Sequence, residues 1–138
     1  MHRGRDALFE SFMNAMGQHG YIHGQTITIE PRFAHGVLER TTDFAEELVQ
    51  KNVDIIVAIG AVGARAGQKA TSTIPIVFAI VLDPVETGLV KTYDHPGGNL
   101  TGVTNYDPNL ALEQLSLLGK VVKGLDRVTV LSDAGIPR

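Results

Sequence analysis

The chain has no cysteine, which excludes a disulfide framework and thiolate metal centres but names no cellular compartment. It has no excess of positive charge: 12 basic against 15 acidic residues give a net charge of -3. An electrostatic grip on nucleic acid is therefore not expected. The longest apolar stretches, Ile55 to Ala64 and Ile74 to Leu82, are too short to cross a membrane as a helix and are broken by glycine or proline. MHRGRDALFESF starts basic but has no continuous apolar run behind it, so these residues do not read as a secretory signal. The five histidines (His2, His19, His23, His35 and His95) show neither H-x-H nor H-E-x-x-H spacing, and no metal or other cofactor is expected. There is no G-x-S-x-G elbow, and no nucleophile with a base beside it. Binding is the expectation here, not catalysis.

What is present is ordinary globular composition, 43% hydrophobic and 20% charged over 138 residues, enough for one domain with a real core. Two kinds of periodicity alternate. ALFESFMNAM sets Leu8, Phe9, Phe12, Met13 and Met16 on one helical face, with Gly17 and Gly20 offering a stop. TITIEPRF alternates as a half-buried strand, and Pro31 places it at or near a sheet edge. TTDFAEELVQKN is a short amphipathic helix with Thr41 or Thr42 as its cap. Val53 to Ile59 and Ile76 to Ile80 are continuous β-branched runs of the kind found in parallel sheets, and Ala61 to Ser72 fits the crossover helix between them. A short helix after Asp83, the turn HPGGN and the strand LTGVTN come next. DPNLALEQLSLLGKVV then opens with Asp107 as cap and Pro108 at the first helical position. RVTVLS is the last expected strand. The order predicts an α/β domain: a doubly wound, mostly parallel sheet with helices on both faces.

In such sheets ligands sit beyond the carboxyl ends of the strands. Three ends are legible. At Gly60-Ala61-Val62 a glycine turn opens a helix, and its free N–H groups and dipole attract an anion; alternatively, Gly60, Gly63 and Gly67 only let the helix approach the sheet. Asp83 either meets a ligand ammonium or caps the turn through Gly88, two roles that are compatible. Thr104 and Asn105 offer neutral hydrogen bonds, or are simply loop polarity. Neither the P-loop spacing nor G-x-G-x-x-G is met by these glycines, which disfavours a nucleotide. An anion-binding turn beside a carboxylate suits a small zwitterion such as an amino acid.

The stretches GYIHGQTITIEPRFAHG, AEELVQKNVDIIVAIG, ATSTIPIVFAIVLDPVETGLV and HPGGNLTGVTN together resemble the substrate-binding proteins of ABC transporters, in the group associated with tryptophan and other aromatic amino acids. The resemblance runs from about Asp6 to Pro137. It implies a type I periplasmic-binding-protein fold whose two lobes close on a solute, an ABC permease as partner, and a periplasmic or lipid-anchored extracytoplasmic location. Carried over by position, the ligand would meet Gly60, Ala61, Val62, Asp83, Thr104 and Asn105. Residues 1-125 would be the first lobe without its first strand, and residues 126-138 either the start of the second lobe or a strand filling the gap. In a 2-1-3-4-5 order that gap falls between TITIEPRF and VDIIVAI, and RVTVLS could fill it in its own chain or in a strand-swapped homodimer. A single lobe is expected to bind its solute weakly. The alternative is an intracellular ligand-sensing regulatory domain of the same fold.

Overall fold

The computed structural model describes residues 3–107 and 109–129. The chain divides into two compact units, Met1–Phe33 and Ala34–Arg138.

In the first unit helix α1 spans Arg3–Gln18. It ends as the sequence indicates: Gly20 takes φ 84°, and the N–H of Tyr21 donates to the carbonyl of Met16 at 2.9 Å, closing the last turn across a left-handed glycine. The strand expected at TITIEPRF does not form. Only an isolated bridge links His23 and Ile27, and residues 28–33 have no regular structure. Side-chain hydrogen bonds hold this segment and the turn before it. The Thr26 hydroxyl accepts from the Ile22 N–H and donates to the Gly20 carbonyl, each at 2.8 Å. His23 Nδ1 accepts from the Ile29 N–H at 3.0 Å. With no neighbouring strand among the described residues to offer a competing ladder, these local bonds prevail. Phe33 is fixed instead by an edge-to-face contact with Phe9, centroids 5.5 Å apart.

The second unit carries a three-stranded parallel sheet, in the order β1 (Ile56–Ile59), β2 (Ile76–Val81), β3 (Leu100–Thr104). Helix α2 spans Leu38–Gln50 and α3 Ala61–Ala70. Helix α2 starts earlier than expected: its cap is Val37, without a side-chain bond, and Thr41 lies inside the helix. The Thr41 hydroxyl reaches back to the Val37 carbonyl at 3.5 Å, which replaces the capping role. The short helix expected after Asp83 is a hydrogen-bonded turn instead. Helix α4 runs Leu110–Val121 from the cap residue Asn109. Asp107 still serves the entrance, its Oδ1 accepting from the Asn109 N–H at 2.8 Å, but from two residues before the cap. The end expected as the strand RVTVLS has no regular structure at residues 127–129, and its remainder lies outside the described residues, as does Pro108.

One sheet face is closed by α3. Ile56 and Ala58 of β1, Ile76, Phe78 and Val81 of β2 and Leu100 of β3 pack with Ala64, Leu89 and Val90. Full burial of side chains such as Ile76 and Val81 contributes roughly 1.5–3 kcal/mol each. The small residues of α3 have a packing reason: a Cβ on Gly67 would stand 3.0 Å from Ile76 Cδ1, so the helix sits almost on the strand. Val57, Ile59 and Val103 point away from this core and are exposed.

The end of β2 departs from regularity in a way that positions the site. Ala79 pairs with Val103 and Val81 with Thr104, so Ile80 is left over as a bulge. Its φ is 57°, the left-handed region that a β-branched residue rarely enters. Strict alternation would send Ile80 into the core. The bulge instead exposes Ile80 and gives its place to Val81, which is fully buried.

Candidate functional site

Because the strands are parallel, their carboxyl ends share one edge of the sheet. Two bonds lock these ends together. The Gly60 N–H donates to the Ala79 carbonyl at 2.8 Å, and the Thr104 hydroxyl donates to the Val81 carbonyl at 2.7 Å. Gly60, Asp83 and Asn105 thereby follow three adjacent strands whose spacing is about 4.8 Å per step.

At the first end, Gly60 caps α3 with φ 87° and ψ 161° and without any side-chain bond. A Cβ there would meet nothing within 4 Å, so glycine is required by conformation and not by space. The N–H groups of Ala61, Val62 and Gly63 open the helix and have no intrahelical acceptor. They form the positive end of the α3 dipole. The two readings of the glycines separate by position: Gly67 serves packing, whereas Gly60 shapes the open turn.

At the second end, Asp83 also has positive φ, 40°, which aspartate tolerates better than most residues. Its Oδ1 accepts two bonds, from the Glu86 N–H at 2.9 Å and from the Tyr93 hydroxyl at 3.0 Å. Asp83 therefore does cap the following turn. Its carboxyl is held below the ordinary 3.8, first by the Glu86 N–H and also by the Tyr93 hydroxyl, against the opposing effect of lost solvent. Among the described residues no side chain bonds Oδ2. The turn itself is pinned from α3: an Arg65 guanidinium N–H donates to the Thr87 carbonyl at 2.7 Å and the Gln68 amide to the Gly88 carbonyl at 3.2 Å. Helix α3 thus carries the anion-seeking end and braces the loop that bears the carboxylate.

At the third end, the Thr104 hydroxyl is committed to structure. Besides donating to Val81 it accepts from the Tyr106 N–H at 3.0 Å. Asn105 is exposed. Of the six residues expected from the sequence, all lie at this edge: Gly60, Ala61 and Val62 present backbone, Asp83 presents a carboxylate, and Asn105 presents an amide. Sequence reasoning missed Tyr93, whose partner lies ten residues away with no periodic pattern linking the two. A cleft of about 200 Å³ beside β3 is lined by Phe78, Pro84, Val90, Tyr93 and Thr104, among others.

A sheet edge that offers open helix N–H groups beside an ionised carboxylate has the polarity of a receptor for a zwitterion. The family model for ABC transporter substrate binding proteins matches residues 1–136. The chain belongs to that family. A tyrosine-binding protein of Clostridioides difficile strain R20291 is 37% identical over 105 residues, which are 76% of this chain and 30% of that protein.

Among solved structures, this substrate-binding family member is similar to a conserved domain protein from Vibrio cholerae, with TM-score 0.76 and 31% identity over 90% of this chain and 41% of that one. It is similar to a substrate binding protein with adhesive properties from Clostridium difficile in a ligand-free, open structure, with TM-score 0.75 and 32% identity over 86% of this chain and 41% of that one. An ABC domain in complex with L-Trp from Streptococcus pneumonia gives TM-score 0.72 and 27% identity, over 83% of this chain and 38% of that one. The chain thus spans about a third of the curated relative and about two fifths of the solved chains it matches. The family consists of substrate-binding proteins and not enzymes, and membership implies an extracytoplasmic place of action.

Proposed function

We propose that the chain supplies one lobe of a solute receptor of an ABC importer, with an aromatic amino acid as its ligand. The observation that carries this reading is the pairing at one sheet edge of the uncapped α3 start with the ionised Asp83. The N–H groups of Ala61, Val62 and Gly63 would receive the ligand carboxylate, Asp83 Oδ2 its ammonium, and Asn105 a further neutral bond. Val62, Ile80 and Leu82, apolar and exposed, offer contact area to a ring. The relatives supply the ligand class: one is a tyrosine-binding protein and another was solved with L-Trp.

Residues 1–125 form the first lobe in this reading, residues 126–138 either lead into a second or supply a strand to the first, and a permease is the membrane partner. One lobe encloses a ligand poorly, so its affinity is expected in the micromolar range or weaker. The outer edge of β1 has no neighbouring strand among the described residues. A second copy supplying RVTVLS to that edge would give the strand-swapped homodimer. A single monomer mass in light scattering at tens of micromolar protein would remove the dimer from this reading.

Calorimetric titration with L-tyrosine and L-tryptophan tests the ligand. The variant Ala61→Pro sharpens the test, because proline is tolerated at the first helical position while it removes one of the N–H donors. Binding about fivefold weaker with unchanged thermal unfolding is expected. Absence of heat with either amino acid at millimolar concentration rejects the ligand class.

A further inference from the structure

Tyr93 belongs to none of the three strand ends, yet its hydroxyl is the only side-chain donor to the Asp83 carboxylate among the described residues. It comes from the loop between Val90 and β3, which is itself well fixed. The Lys91 N–H donates to the Pro96 carbonyl at 2.9 Å. Thr92 and His95 exchange two bonds, the Thr92 hydroxyl donating to the His95 carbonyl at 3.1 Å and accepting from its N–H at 2.9 Å. The Asn99 amide anchors the loop's far end, donating to the carbonyls of Ile74 at 2.7 Å and Thr71 at 3.2 Å. Tyr93 therefore reaches Asp83 from a constrained loop, not as a free surface side chain.

The contact has a directional consequence. The two hydrogen bonds formed on the carboxylate, from the Glu86 N–H and the Tyr93 hydroxyl, converge on Oδ1, and the Val85 N–H also favours the charged form. A carboxylate gripped by one oxygen is restrained in χ2, and its other oxygen remains the acceptor for a third party. Resting on the ligand site proposed above, we propose that Tyr93 is a positioning residue: it holds the Asp83 carboxylate by Oδ1 so that Oδ2 receives the ligand ammonium. The charged and titratable groups around the pair are few. Glu86 and Tyr106 bear on Tyr93 through their charge, and Arg65 of α3 is engaged by the Thr87 carbonyl. The phenol is displaced up to about 12 by loss of water and then by its bond to Asp83, so it remains a donor throughout the neutral range.

The test is Tyr93→Phe, which removes one O–H and keeps the ring, read by two independent methods on the full chain. Carbon-13 NMR titration of the Asp83 carboxyl needs no ligand, and its midpoint should rise in the variant. The Kd for L-tyrosine should weaken about fivefold at pH 7, and the acid limb of its pH profile should move upward with the carboxyl midpoint. In an Asp83→Asn background Tyr93→Phe should have no further effect on Kd. An unchanged Asp83 titration overturns the proposal. So does a shifted titration with an unchanged Kd profile, which would leave solute binding intact but place Asp83 outside the contact. A loss of affinity that persists in the Asp83→Asn background would make Tyr93 a direct ligand contact and overturns its positioning role. Failure of the wild-type chain to bind L-tyrosine or L-tryptophan would appear before any variant is made, and it overturns both readings together.

Discussion

The hydroxyl of Thr104 donates to the carbonyl of Val81 at 2.7 Å, and this bond joins the last residue of β3 to the last residue of the bulged strand β2. Beyond Ile80 the register is shifted, and the threonine bond helps hold the strands together where that irregularity occurs. The same oxygen accepts from the Tyr106 N–H, so the chain is held at the point where it leaves the sheet towards α4.

Thr104→Val keeps the shape and removes both bonds. The part-buried Val81 carbonyl and Tyr106 N–H would be left without this partner, at a cost of about 1–2 kcal/mol. Urea unfolding should show a lower midpoint with an unchanged slope. A midpoint equal to wild type would mean that solvent replaces the hydroxyl fully.

Two glycines that both face β2 should respond differently to the same change. A Cβ on Gly102 would lie 2.1 Å from the Phe78 carbonyl oxygen and 2.5 Å from its ring, and a backbone oxygen cannot move aside without breaking the sheet. Gly102→Ala is expected to destabilise by about 3 kcal/mol or more. On Gly67 the nearest atom is the far end of the Ile76 side chain, at 3.0 Å, which can turn. There the crowding is offset by the helix preference for alanine over glycine, close to 1 kcal/mol. Gly67→Ala should therefore stay within about 1 kcal/mol of wild type. Denaturant unfolding of both variants in parallel decides, and equal losses would contradict the geometry.

The Asp83–Tyr93 pair also sets a pH dependence of stability. The Asp83 pKa is lowered on folding from 3.8, so its stabilising effect is complete well above that value and is lost as pH falls through the lower, folded value. Tyr93 is raised from 10.0 to about 12, so its effect is complete below pH 10 and is lost as pH rises towards 12. Asp83→Asn should flatten the acid part of this profile, and Tyr93→Phe the alkaline part. Melting temperatures that vary with pH in both variants just as they do in wild type would show that the pair does not act on stability.

Much of the fold was legible in the residues themselves. The β-branched runs expected at Val53 to Ile59 and Ile76 to Ile80 form strands at Ile56–Ile59 and Ile76–Val81, with the alanine- and glycine-rich helix Ala61–Ala70 between them and a turn before Leu100. The reason is local: β-branched side chains, short crossovers and left-handed glycines such as Gly60 and Gly97 restrict the backbone wherever they occur. The strand ends were legible too, since a polar residue directly after an apolar run marks an edge in any parallel sheet.

What sequence alone misjudged depended on a partner. TITIEPRF has the alternation of a strand, but a strand exists only with a neighbour, and here the His23 ring takes up the Ile29 N–H while the Thr26 hydroxyl holds the turn before it. Thr41 has the chemistry of a cap, yet the helix starts at Leu38, ahead of it. The bulge at Ile80 and the bond from Tyr93 to Asp83 are set by contacts between segments, for which no spacing rule exists. Sequence by itself determined the parallel strands around the Gly60 turn, the crossover helix and their order, because those follow from short-range sterics and hydrophobic pattern. Only the tertiary structure decided which oxygen of Asp83 is occupied and which hydroxyl is spent on the scaffold, because hydrogen bonds at 3 Å are fixed by the packing of residues distant in the chain.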